Sequence, residues 1–231
     1  MKLFYNIDLN YNDKELTLFD SEHSHLTKVL RKKVDEIVYL TNGRGYLFEA
    51  VIIQINLKDT KLKILSSLKK PKRNYYLNVA ISPTKKNDRF EWFVEKATEL
   101  GISQITPIVC EHSEKKKINT ERLERILISS LKQSNQFFKP EINSINTFEN
   151  FILNNEDQLF MANLKTSNKL SEKLFTKSNI CLMVGPEGGF SDREIDIAKK
   201  QDIKEVTLGN SRLRSETAAI YGMSIIRSML H

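Results

Sequence analysis

The run Cys181 to Ser191, C-L-M-V-G-P-E-G-G-F-S, constrains the fold more than any other stretch of the chain. An apolar segment of strand character leads directly into Gly185, Gly188 and Gly189, three of the eight glycines present. Ser191 then stands where a helix N-cap belongs, and Glu194 three residues on completes a capping box. Strand, glycine turn and capped helix in immediate succession expose backbone N–H groups and let a ligand approach the main chain. The same turn also serves as plain punctuation between elements. A second end resembles it: Glu205 to Leu208 reads as a strand, Gly209-Asn210 follows, and Ser215 with Glu216 opens an apolar C-terminal helix. Two such ends in one α/β unit suggest a ligand at the carboxyl edge of a sheet.

The rest of the second part of the chain fits that frame. Tyr76 to Ile81, Gln104 to Val109, Gln158 to Ala162 and Ile180 to Val184 read as buried strands. Between and after them, Asp88 to Leu100 (closed by Gly101), Thr120 to Asn135, Phe148 to Leu153, Ser191 to Gln201 and Ser215 to Leu230 carry helical periodicity. Strands alternating with helices at this spacing predict a mostly parallel sheet covered on both faces. Residues 1 to about 70 differ. There the alternation is of β type in Phe4 to Leu9, Leu16 to Phe19, Glu36 to Leu40, Tyr46 to Ile55 and Lys61 to Leu65, with Asn42-Gly43 as a hairpin signal. His25 to Lys32 interrupts with a short basic helical turn, and K-K-P-K-R-N at 69–74 reads as a linker. The expected organisation is a small β-barrel over 1–70 and an α/β domain over 75–231.

Charge separates the same two parts. Met1 to Asn74 holds 14 Lys and Arg against 9 Asp and Glu, whereas the remainder holds 22 against 20. A basic barrel attracts polyanions, although a modest surplus also serves solubility. Several chemistries are excluded by pattern. The glycine loop has no P-loop lysine and is not G-x-G-x-x-G after a first strand, and no G-x-S-x-G elbow is present. His23 and His25 lack a third ligand nearby, so no metal is expected. Cys110 and Cys181 each lie in an apolar run and read as buried thiols. With no apolar run near the ~20 residues of a membrane span and no secretion signal read at the N-terminus, the expected location is the cytoplasm, without a membrane partner.

V-G-P-E-G-G-F-S at Val184 to Ser191 and L-G-N-S-R-L-R-S-E-T-A at Leu208 to Ala218 resemble the paired signatures of the RsmE family, the 16S rRNA uridine-1498 N3-methyltransferases of the SPOUT class. H-L-x-x-V-L-R at His25 to Arg31 with N-G-R-G at Asn42 to Gly45 is similar to the family's N-terminal segment, and E-K-A-T-E-L-G-I at Glu95 to Ile102 to the start of its catalytic domain. The resemblance covers nearly the whole chain in order. It implies a trefoil-knotted, mostly parallel sheet domain preceded by a PUA-like or OB-like barrel. It further implies S-adenosylmethionine (SAM) as cofactor, a homodimer, and 16S rRNA of the small ribosomal subunit as partner.

Carried onto this chain, the resemblance makes Leu164, Gly185, Pro186, Glu187, Gly188, Gly189, Leu208, Gly209, Asn210, Leu213 and Arg214 the candidates for holding the cofactor. His25, Lys28, Arg31, Lys32, Arg73 and Gln133 are the RNA-binding candidates. Uridine N3 carries a weakly acidic proton, so the reaction needs its removal and stabilisation of the resulting anion. Arg214 is the candidate cation and Glu187 the candidate for orientation or proton acceptance. The alternatives are an Arg–Glu pair that joins the two loops, an arginine that anchors phosphate, and a base supplied by water or RNA. Another RNA target for the same chemistry, such as a ribose 2′-hydroxyl, and a non-catalytic rRNA-binding assembly factor are the rival functions. The chain departs from the family pattern at Asp35, where a glycine is expected, and at Gln136, where many relatives carry arginine.

Overall fold

The computed structural model describes residues 2–173, 175–176 and 178–230. Two compact units emerge, one comprising residues to Lys72 together with Ile128–Lys139, the other Arg73–Leu127 with Pro140 onwards.

The first unit is a five-stranded sheet. Its strands β1 (Leu3–Tyr5), β2 (Glu15–Phe19), β3 (Ile37–Thr41), β4 (Tyr46–Ile55) and β5 (Asp59–Lys69) lie in the order β1-β3-β4-β5-β2. β1 runs parallel to β3 and the other pairings are antiparallel. Val38 and Leu40 on β3, and Phe48, Ala50 and Ile52 on β4, point to one side at the strand period of two. They form the core with Phe4, Leu18, Leu26 and Leu62. The basic turn expected at His25 to Lys32 starts earlier and ends sooner: α1 (Asp20–Ser24) runs on into one π-helical turn at His25–Val29. Two buried anchors set these limits. His23 places Nδ1 2.8 Å from Thr60 Oγ1, and Leu26 is fully enclosed.

The two glycines of N-G-R-G have a structural reason. Gly43 and Gly45 adopt φ of +72° and +89°, a region side chains avoid. Residues 137–139 lie against this turn, with Gly45 N–H donating to Phe137 O and Lys139 N–H to Gly43 O, both at 2.8 Å. A Cβ on Gly45 would stand 2.4 Å from the Phe138 ring. The first unit is therefore completed by a segment some ninety residues further along the chain, and its sheet runs from β1 to β2 with no pairing among the described residues that closes the expected barrel.

In the second unit every strand pairing is parallel. Strands β6 (Tyr76–Ile81), β7 (Gln104–Val109), β8 (Glu141–Ile142), β10 (Gln158–Ala162), β11 (Asn179–Val184) and β12 (Lys204–Val206) follow the order β12-β10-β11-β6-β7-β8, and β9 (Asn146–Thr147) also pairs with β7. The helices are α2 (Asn87–Glu99), α3 (Thr120–Gln133, whose last turns belong to the first unit), α4 (Phe148–Leu153), α5 (Asp192–Lys200) and α6 (Ser215–Leu230). Alternate residues of the central strands serve opposite faces. Leu77, Val79, Ile81, Leu182 and Val184 pack with Phe90, Phe93 and Val94 of α2 and Ala219, Met223 and Ile226 of α6. Ala80, Cys181 and Met183 pack with Phe148 and Phe151 of α4 and Ile195 and Ala198 of α5. Covering both faces with helices is what a parallel sheet requires, and it aligns all the carboxyl ends on one edge. Among the described residues no helix is long and apolar enough to cross a membrane.

Candidate active site

The carboxyl ends of β7, β10, β11 and β12 enclose a cavity of about 720 Å³. β10 delivers Asn163, Leu164 and Lys165, β11 the run Gly185 to Phe190, β12 Leu208 and Ser211 to Leu213, and β7 Glu111 and His112. The glycine turn is built as its residues dictate. Gly189 N–H closes on Pro186 O at 2.9 Å with Gly189 at φ +77°, and the space where its Cβ would stand is empty to 4 Å. Ser191 caps α5, and the capping box is complete: Ser191 Oγ accepts from Glu194 N–H at 3.2 Å, and Glu194 Oε2 accepts from Ser191 N–H at 2.8 Å.

Glu194 reaches further than a capping box needs. It is 3% exposed, and its second oxygen accepts the Glu111 N–H at 2.9 Å, which fastens the loop after β7 to the start of α5. On that loop the His112 ring places Nδ1 3.1 Å from Gly189 O, and Gly188 passes so close that a Cβ there would stand 3.1 Å from His112 Cβ. Burial pushes the neighbouring Cys110 thiol well up, with the Glu194 carboxylate adding to the effect, and burial also raises Cys181. Neither cysteine is a thiolate at neutral pH, so neither serves as a nucleophile. Among the described residues no cluster of His, Cys, Asp and Glu could hold a metal ion.

The two glycine ends meet through an arginine, and it is Arg212: its guanidinium donates to Glu187 O at 3.2 Å. Glu187 Oε1 accepts the Lys85 N–H at 3.3 Å. Of the cofactor candidates, Leu164, Gly185, Pro186, Glu187, Gly188, Gly189, Leu208 and Leu213 line the cavity, whereas Gly209, Asn210 and Arg214 are exposed outside its lining. The RNA-binding candidates divide too. Lys28, Arg31 and Gln133 are exposed in the first unit. His25 packs edge-on against Phe4 at 5.8 Å, and Lys32 pairs with Glu36 at 2.6 Å. Arg73 lies in the second unit and turns its guanidinium onto the Gly101 carbonyl, past the end of α2. Sequence reasoning missed His112 and Arg212. His112 follows β7 by three residues, so the carboxyl-edge rule already pointed to it. Nothing in R-L-R distinguishes Arg212 from Arg214.

Comparison with known proteins speaks to the same architecture. Residues 71–227 match the model of an RNA methyltransferase domain and residues 18–65 that of an RNA methyltransferase PUA domain. The ribosomal RNA small subunit methyltransferase E of Rickettsia conorii is 31% identical, over 98% of this chain and 94% of its own. The chain belongs to the ribosomal RNA small subunit methyltransferase E family. Another member, from Buchnera aphidicola, is 30% identical over 99% of this chain and 93% of its own. Among solved members of this fold, a "probable rRNA-methyltransferase" of Porphyromonas gingivalis superposes with a TM-score of 0.91 at 33% identity, covering 100% of this chain and 98% of that one. A "putative methyltransferase" of Legionella pneumophila solved with bound SAM gives 0.89 at 26% identity, covering 99% and 97%.

Proposed function

We propose that the protein is a SAM-dependent methyltransferase that modifies N3 of a uridine in 16S rRNA of the small ribosomal subunit. The observation that carries this reading is the cavity at the carboxyl edge, walled by the two loops that hold the family's signatures. Its volume lies in the ~300–1,000 Å³ range of cofactor sites. The donor set suits SAM. Leu164, Leu208 and Leu213 offer apolar walls for a planar base, and the glycine turn offers main chain without side chains. Glu187 and Asp192 bring negative charge toward a cationic ligand.

When bound, SAM supplies a methyl group already activated on sulfur. The chain's own task is to place the uracil, exclude water, take the N3 proton and balance the anion left behind. Arg212 fixes the two loops to each other, and exposed Arg214 is assigned to the uracil anion or a flanking phosphate. Lys28 and Arg31, which make no side-chain pair among the described residues, are assigned to RNA phosphates on the first unit. The knotted path, the cytoplasmic location and a homodimer belong to the same proposal. For the dimer, Tyr221 and Met229 on α6 leave apolar surface exposed. A mass measurement that returned a monomer at micromolar concentration would contradict it.

The deciding experiment is isothermal titration with SAM, followed by nucleoside analysis of small subunits incubated with enzyme and cofactor. Saturable binding and N3-methyluridine are expected. A ribose-methylated product would move the target, and no SAM binding with or without RNA would favour a non-catalytic rRNA-binding factor.

A further inference from the structure

The reaction proposed above needs a group that accepts the N3 proton, and we infer that this group is His112. The inference rests on the uridine-N3 reading. Its structural basis is the hydrogen bond to Gly189. A carbonyl oxygen can only accept, so the ring nitrogen facing it, Nδ1, carries the hydrogen. In the neutral imidazole the lone pair then belongs to Nε2. Among the described residues nothing bonds Nε2, and the ring lines the cavity. The tautomer is therefore set by the turn that also forms the cofactor loop, the way an orienting partner sets a catalytic histidine.

The position is held on two sides. Glu194 accepts the N–H of the residue before it, and Gly188 passes so close that a Cβ there would stand 3.1 Å from His112 Cβ, so the exposed side chain leaves the main chain beside the glycine turn. The other ionisable groups of the lining are less suited. Lys165, Arg193 and Arg212 are cations with no lone pair at neutral pH. Lys165 approaches Asp192 at 3.5 Å, and Arg193 pairs with Glu149 at 3.3 Å. Glu187 is turned to the Lys85 amide. Glu111, whose N–H is bound by Glu194, and Glu114, paired with Lys85 at 2.7 Å, lie on the same loop as His112. A carboxylate is in any case a weaker base than an imidazole toward an acid as weak as uridine N3.

The step balances. The N3–H bond breaks, its proton passes to Nε2, and its electron pair remains on nitrogen. That pair forms the N3–methyl bond as the methyl–sulfur bond breaks with its pair on sulfur.

The test is His112→Asn, whose amide nitrogen can still donate to Gly189 O while nothing stands at Nε2. SAM affinity and thermal midpoint are measured beside the pH profile of N3-methyluridine formation. The expected result is a loss of turnover of roughly 10²–10⁴-fold, the usual worth of a general base. The acid limb of the kcat/KM profile should vanish, while SAM affinity and the thermal midpoint hold. Turnover within about fivefold of the original, an acid limb that persists, or SAM affinity that falls in step with turnover would each overturn the assignment. If the unaltered protein binds SAM but makes no N3-methyluridine, the functional reading fails and takes this inference with it.

Discussion

Around the first glycine turn, hydrogen bonds arrive from several directions. Ser215 Oγ donates to Gly185 O at 2.9 Å, Lys85 and Arg212 both bond Glu187, His112 bonds Gly189, and Glu194 holds Ser191. The second glycine end, Leu208 to Arg214, is tied mainly to itself. Thr207 Oγ1 accepts from Gly209 N–H and donates to Gly209 O, and residues 209 to 212 stand exposed. Similar residues thus build a wall that exists before any ligand and a loop whose polar groups have few native partners, anchored to the core by Leu208 and Leu213. Preformed groups bind without an ordering cost, and loosely held ones order at the moment of binding. Damage to the first end should therefore show as lost stability or lost affinity, whereas damage to the second should appear only when ligand is present.

The harshest way to break this contrast is Glu194→Ala. It strands the buried N–H of Ser191 and frees the part-buried N–H of Glu111, and losing a charged acceptor from a buried donor costs on the order of 3 kcal/mol. Urea unfolding measures it; Arg214→Ala in the same assay should fall within about 0.5 kcal/mol of the original protein. A comparable cost for both would mean the second end is as firmly built as the first. Gly188→Val comes next and acts on affinity. Its side chain would press on His112 from an exposed position, so SAM binding should weaken by about 100-fold, ~2.7 kcal/mol, with the fold kept. Normal calorimetric binding would remove the glycine turn from the cofactor site.

Gly222→Ala tests how the loosely held end is supported from below. Gly222 on α6 faces Leu182 of β11 and Leu208, and a Cβ there would stand 2.4 Å from Leu182 Cδ2 and 3.2 Å from Leu208 Cδ2. Overpacking of this kind costs roughly 1–3 kcal/mol. Because Leu208 lines the cavity, SAM affinity should fall with stability; a variant that lost stability alone would show that Leu208 can move freely.

These contrasts also mark how far the sequence was readable. Tyr76–Ile81, Gln104–Val109 and Gln158–Ala162 have the bounds their patterns predict, because buried strands of a parallel sheet are near-continuous apolar runs. Asp20–Ser24 was not foreseen as helix: D-S-E-H-S has no apolar period, and its one buried side chain, His23, is held by distant Thr60. Two-residue strands such as Glu141–Ile142 are too short to carry any alternation. The membership of Ile128–Lys139 in the first unit is set by contacts with Gly43 and Gly45, which no local window contains. At the site the glycines and the capping box were legible because they work locally. The place of His112 just past β7 was legible but its bond to Gly189 was not, and Arg212 was not, since each acts through a backbone carbonyl far away in sequence.

The first unit supplies the mildest test, and it concerns what a left-handed corner needs. Gly189 and Asp35 adopt nearly the same φ, +77° and +71°, one as a glycine beside a ligand cavity and the other as an aspartate in the first unit. Asp35 is exposed; its N–H donates to Ile52 O at 2.8 Å, so the main chain holds the corner and the side chain strains it. Aspartate tolerates this region better than most residues, and glycine gives back part of the gain through a freer unfolded chain. Asp35→Gly should accordingly raise stability by only about 0.5 kcal/mol, read as a small rise in the urea midpoint at unchanged slope. A fall instead would mean that the Asp35 carboxylate contributes more to the fold than its conformation costs.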